Sequence, residues 1–195
     1  MNLSPQSLMR AARDTLVNPA GAARFVMGLR LSVAQGLMAL ALTAVLATLL
    51  TALMQAFMGP IDDQAMQDLF NRPFILALSQ FALMIVGAAL MWRVGQMFGG
   101  KGSFAQSLSL VAWLEVVLIL LQTAEVIVLL VLPILALPIG LFSVFAFFYL
   151  LTNFTAALND FTSLTKTFFA ILGTVFAVLI LASIALMFIL PVPNV

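Results

Sequence analysis

The chain has 195 residues, 64% of them apolar and only 8% charged, with a net charge of +1 and a mean hydropathy of +1.21; soluble domains run at roughly 45–50% apolar and about 25% charged, so this is the composition of an integral membrane protein. So small a net charge supplies no basic patch for a phosphate backbone, which excludes nucleic-acid binding. The absence of Cys and His removes disulfides, thiol nucleophiles, imidazole bases and the usual zinc or copper ligands, so no cofactor is expected, and any chemistry falls to carboxylates, hydroxyls, amides, Lys or Arg.

In chain order, Ser4-Pro5 reads as a helix start, with Ser as N-cap and Pro at the first helical position. Leu8, Ala12 and Leu16 then share one face and Arg10, Arg13 and Asp14 the other. Asn18-Pro19 breaks this amphipathic helix and restarts a second, in which Arg24 and Arg30 interrupt Phe25, Val26 and Leu29. Residues 1–30 are therefore expected to form cytoplasmic or membrane-surface helices, with Arg10, Arg13, Arg24 and Arg30 level with lipid phosphates. A plain polar lead-in to the first span is the alternative. The first long apolar run begins about thirty residues in and is too long for a signal-peptide core, so it is expected to stay as a span.

Five spans follow, over residues 31–58, 73–94, 104–132, 139–157 and 168–190, each set against the roughly 20 apolar residues that cross a hydrocarbon core. Pro133 and Pro138 bracket the reversal between the third and fourth, because proline removes a helix donor and disfavours helix in the residue before it. Arg10, Arg13, Arg24 and Arg30 precede the first span, Arg93 and Lys101 join the second to the third, and Lys166 joins the fourth to the fifth. Five spans put all of these on one side, opposite Asp62, Asp63, Asp68 and a single Arg72. Positive residues are retained in the cytosol, so the N-terminus is expected inside and the C-terminus, after the 191–195 tail, outside. The expected fold is all-α: a polytopic transmembrane helix bundle of five spans over residues 31–195.

Glu115 lies about eleven residues into the third span, roughly 16 Å deep at 1.5 Å per residue. A carboxylate at that depth is expected to be protonated, paired or facing a wet cavity. Gln122 follows seven residues on and Glu125 a further turn on, so Glu115, Gln122 and Glu125 make one loosely polar stripe. With no basic residue at this level, the candidate partners are Gln80 in the second span, Thr43, Thr48 or Thr51 in the first, and Asn153 in the fourth. The first span also carries Gln35, Ala39, Thr43, Ala47, Thr51 and Gln55 at intervals of four. Ala39, Thr43, Ala47 and Thr51 are thus a helix-packing face, toward another span or a second protein, because small residues let a neighbour approach. Gly87, Ala88 and Ala89 offer a similar flat place in the second span.

"GQMFGGKGS" matches the start of a phosphate-binding loop at Gly95, Gly100 and Lys101, but Gly102 follows where Ser or Thr should, and no strand precedes it. No nucleotide is expected; a flexible cytoplasmic turn is, with Ser103 capping the third span. Asn153-Phe154-Thr155 fits a glycosylation sequon but falls near the inner surface and should be unmodified. Asp160 is expected to cap the inner end of its helix or to pair with Lys166.

Three stretches, "NPAGAARFVMGLRL", "FGGKGSFAQSLSLVAWLEVVLILLQ" and "LTNFTAALNDFTSLTKTFFAILG", in this order and spread over five spans, resemble the bacterial branch of the Yip1 family. The resemblance implies a cytoplasmic N-terminus, five membrane helices and, for eukaryotic relatives, roles in vesicle trafficking with small GTPases and with one another. No counterpart of the eukaryotic "DLYGP" type motif is present.

The expected function is non-enzymatic: a scaffold or accessory subunit of the bacterial inner membrane, acting through helix-helix and lipid contacts with membrane lipid, another membrane protein or a second copy. The alternative is a small proton-coupled transporter or channel using Glu115. A lipid-modifying enzyme with Glu115, Glu125 or Asp160 as base comes third, for want of a nucleophile or metal set.

Overall fold

The computed structural model describes residues 5–58 and 63–189; Ser4, Asp62, Leu190 and the 191–195 tail, which carried expectations above, lie outside the described residues. Two short N-terminal helices, α1 (Pro5–Val17) and α2 (Pro19–Gly28), lead into α3 (Val33–Met58). A seven-residue helix, α4 (Gln64–Phe70), precedes α5 (Pro73–Met97), α6 (Phe104–Val131), α7 (Ala136–Asn159) and α8 (Leu164–Ile189). Of these, α3, α5, α6, α7 and α8 are long and apolar enough to cross a membrane.

Local chemistry sets the helix ends. Asn18 Oδ1 accepts from the Gly21 amide at 3.0 Å, with Pro19 as first helical residue, so α2 starts where the sequence restarts it. Ser32 and Gln35 cap each other at the start of α3, the Ser32 amide donating to Gln35 Oε1 at 2.9 Å and the Gln35 amide to Ser32 Oγ at 3.2 Å. Ser103 and Gln106 repeat the device at α6. The proline turn differs in detail from the expectation. Pro133–Leu135 forms one 3-10 turn and α7 already begins at Ala136, three residues before the expected 139. Pro138 is accommodated because first-turn amides have no intrahelical acceptor to lose. The short α4 went unforeseen, although Asp63 marks it: its carboxylate accepts from the Met66 amide at 3.1 Å.

α6 is the central element, packing against α3, α5, α7 and α2 and touching α1. The core is one cluster that draws Ala12, Ala23, Leu40, Ala88, Leu108 and Phe154 from six different helices. The small-residue row of α3 faces inward: Thr43 and Ala47 are buried, Ala39 and Thr51 half-buried, and α3 packs on α6 and α5. One residue from the row, Gly36 lets Leu108 so close that a Cβ there would stand 2.9 Å from the leucine Cβ. This face is spent inside the bundle and is not free for a second protein.

The N-terminal helices dock on the bundle. Ala23 is fully buried, α2 lies against α6 and α7, and the Trp113 indole N–H donates to Thr15 Oγ1 at 3.1 Å. Arg10, Arg13, Arg24 and Arg30 all remain exposed on the outer side of this pair. At the other extreme, α8 takes its packing from α7 and stays largely exposed, with no close packing against α5. A gap between α5 and α8 results.

Candidate functional site

Polar groups inside the apolar bundle are joined in two ties. Thr48 Oγ1 on α3 donates to Gln80 Oε1 on α5 at 3.3 Å, and Gln80 Nε2 donates in turn to Glu115 Oε1 on α6 at 3.1 Å. Gln80 thus uses both ends of its amide to link three helices. A turn and more away, Gln122 Nε2 donates to Thr51 Oγ1 at 3.2 Å, joining α6 to α3 again. Two further candidate partners are engaged elsewhere: Thr43 donates to carbonyls of its own helix, and Asn153 Nδ2 to the Tyr149 carbonyl at 2.8 Å.

Glu115, Gln122 and Glu125 therefore do not act as one stripe on one partner; they fan across three. At about 100° per residue Gln122 lies about 20° from Glu115 around the axis and Glu125 about 80°. That spread sends Glu115 to α5, Gln122 to α3 and Glu125 toward α7, where a Cβ on Gly140 would meet Glu125 Oε1 at 2.9 Å.

The gap between α5 and α8 is an apolar crevice of about 310 Å³, walled by Met84, Gly87, Met91, Leu151, Ile171 and Val175 among others, with Gln80 and Glu115 also in its lining. It is within the roughly 300–1,000 Å³ typical of small-molecule sites. Phe98, Phe161, Thr167 and Ala170 line both this crevice and a second cavity of about 590 Å³ formed by the α5–α6 and α7–α8 turns. Lys101, Lys166, Asp160 and Asn159 line that second cavity, referred to below as the bay. The charged bay thus adjoins the apolar crevice across these four residues.

The glycine-rich turn builds one wall of the bay by close approach. Gly95 and Gly100 have room for hydrogen only, because a Cβ on either would overlap the Asn159 side chain, and Gly102 meets Leu158 in the same way. Gly99 takes a left-handed conformation at φ +85°, and the Gly100 amide returns to the Gly95 carbonyl at 2.9 Å. The turn expected to be flexible is a close-packed joint against the end of α7. Asn159, unremarked in the sequence, is the residue it closes on. Its Nδ2 donates to the Thr155 carbonyl at 3.0 Å and the Met91 carbonyl at 3.4 Å, while Oδ1 is buried without a partner among the described residues. Only the adjacency of α5 and α7, invisible in the sequence, reveals this pairing. Asp160 follows as the left-handed C-cap at φ 56°, the cap role expected of it. Asn153 and Thr155 of the sequon are buried.

Among the described residues, no three His, Cys, Asp or Glu side chains come together as a metal set. Five apolar helices, three of them tied by side-chain amides, threonine hydroxyls and one carboxyl, define a polytopic α-helical membrane protein. The Yip1 domain matches residues 13–187, nearly the whole chain, and the protein belongs to that family. No curated protein and no solved structure matches it.

Proposed function

We propose that this protein is a non-catalytic scaffold or accessory subunit of a bacterial cytoplasmic membrane, acting through helix-helix and lipid contacts. What carries the proposal is the way the intramembrane polar groups are consumed: Thr48, Gln80 and Glu115 satisfy one another, as do Thr51 and Gln122, leaving α3, α5 and α6 tied as a frame. Such ties contribute roughly 0.5–2 kcal/mol each in a membrane and serve packing without any reaction. The Ala39/Thr43/Ala47/Thr51 row is occupied within this frame, so association with another membrane protein or a second copy falls to α8, the least covered span. The chain has no cysteine, which permits a direct test. Single cysteines at Phe176 and Ile180, both exposed on α8, should give disulfide-linked products in native membranes, either a homodimer or a defined heterodimer with another membrane protein. Monomer alone from both positions, under oxidation that links a known control pair, argues against the role.

A second reading draws on Glu115 lining the crevice. A carboxyl that lines the crevice beside the bay is placed to carry a proton or hold a cation part-way across the membrane. Sealed vesicles containing the pure protein would then show ion or proton flux that Glu115→Gln abolishes; equal flux in the two proteins removes this alternative.

A further inference from the structure

We propose that the crevice and the bay together bind one anionic glycerophospholipid, one of its two acyl chains between α5 and α8, the other in the adjoining bilayer, and its phosphate between Lys101 and Lys166. The inference rests on the membrane placement of the helices and not on the scaffold role, so its failure would leave that role standing.

The two cavities are complementary to the two ends of such a molecule. Along α8 the crevice runs from Thr167 to Val175, about 12 Å of helix at 1.5 Å per residue. That is close to half of the roughly 30 Å hydrocarbon core, the depth one acyl chain occupies. Leu83, Met84, Leu90, Met91, Ile171 and Val175 supply apolar walls, and Gly87 leaves a recess, since a Cβ there would meet nothing within 4 Å. The side where α5 and α8 fail to pack is open to the surrounding lipid. A chain can therefore enter sideways from the bilayer without leaving the hydrocarbon.

At the bay the character changes. Lys101, in the α5–α6 turn, and Lys166, in the first turn of α8, line one cavity with Asp160 as the carboxylate beside them, a local balance of two cations to one anion. A headgroup bearing a single negative charge brings that balance to neutrality. Lysine ammonium groups at a membrane surface are attracted to anionic headgroups, and here two line a single cavity. Asp160 adds an acceptor to the same cavity. A carboxylate there accepts from hydroxyls, which favours a headgroup that carries them, such as the glycerol of phosphatidylglycerol, over a bare phosphate.

The test uses the full-length protein, delipidated in mild detergent and re-exposed to phosphatidylglycerol or phosphatidylcholine of identical chains, with bound lipid counted by native mass spectrometry. One phosphatidylglycerol should be retained per chain, about tenfold more tightly than phosphatidylcholine. The double variant Lys101→Gln/Lys166→Gln should lose that preference. Gly87→Phe, which fills the recess, should lose both lipids; Val175→Trp, from the opposite wall, should do the same and covers the case in which the first variant does not fold. sn-Glycerol 3-phosphate, which has the phosphate without chains, should not compete. Equal retention of the two phospholipids would overturn the proposal. So would retention that survives both crevice-filling variants, or full competition by glycerol phosphate, which would mark a small-anion site instead.

Discussion

Gln80 is the residue on which the polar frame turns. Its carbonyl accepts from Thr48 and its amino group donates to Glu115, so one side chain closes both halves of the tie. An amide is suited to this position because it carries a donor and an acceptor at its two ends; neither a hydroxyl nor a carboxylate spans both roles at the same reach. Glu115→Gln should accordingly be nearly neutral for stability, since the new carbonyl still accepts from Gln80 Nε2. Gln80→Leu, by contrast, removes the donor from Glu115 and the acceptor from Thr48 at once, and should destabilise the bundle by about 0.5–2 kcal/mol. Reversible unfolding in mixed micelles, titrated with SDS, measures both. A Glu115→Gln variant as unstable as Gln80→Leu would mean that the glutamate contributes something other than an acceptor. Gln80 stands among the candidate partners of Glu115 in the sequence because both are rare polar residues deep in apolar spans, but the choice between it and Thr43, Thr48, Thr51 or Asn153 needs the packing. The fanning of Gln122 and Glu125 is not legible there, because an 80° spread matters only once the positions of α3, α5 and α7 around α6 are known.

At the scale of elements, the spans are legible because apolar length is counted directly along the chain: all five begin within about four residues of where hydropathy and prolines put them, and α6 starts at the expected Phe104. Legibility failed where the outcome depends on which neighbour an element meets. The pair α1–α2 has an amphipathic pattern that suits a lipid surface and a protein groove equally well, and the groove between α6 and α7 takes it. Ala23 is the point of closest fit, fully buried in the common core. Ala23→Leu adds three carbons where no space exists and should cost about 1–3 kcal/mol, borne first by the docking of α2. Two observables would register it. Trp113, whose indole N–H is held by Thr15, should change its emission when measured in a Trp92→Phe background. Trypsin should cut at Arg13 and Arg24 at least several-fold faster, because a helix must open locally before a protease can engage it. An unaltered digestion rate with unaltered Trp113 emission would show that α2 is not anchored through Ala23.

For the molecule as a whole, the distribution of charge decides how the bundle is threaded. Arg10, Arg13, Arg24, Arg30, Arg93, Lys101 and Lys166 account for seven of the eight basic residues. Lys101, in the α5–α6 turn, and Lys166, in the first turn of α8, line the bay at one end, and α2 lies against α6 and α7, two of the four helices that reach that end. Arg72 stands alone beside α4, with Asp63 and Asp68, between α3 and α5. Basic residues in short loops are retained in the cytosol and carboxylates contribute little to orientation, so the end with the bay should face the cytosol and α4 the opposite compartment. The cysteine-free chain allows this to be read one position at a time. Met9→Cys and Thr162→Cys, both at exposed positions, should react with a membrane-impermeant maleimide only after the membrane is opened, whereas Gln64→Cys should react in intact cells. Reversal of all three would invert the protein and put the lipid-binding bay in the other leaflet. Equal labelling of Met9→Cys and Gln64→Cys would have a deeper consequence: α3 would not cross the membrane, and Glu115 with its partners would have to be satisfied by water instead of by one another.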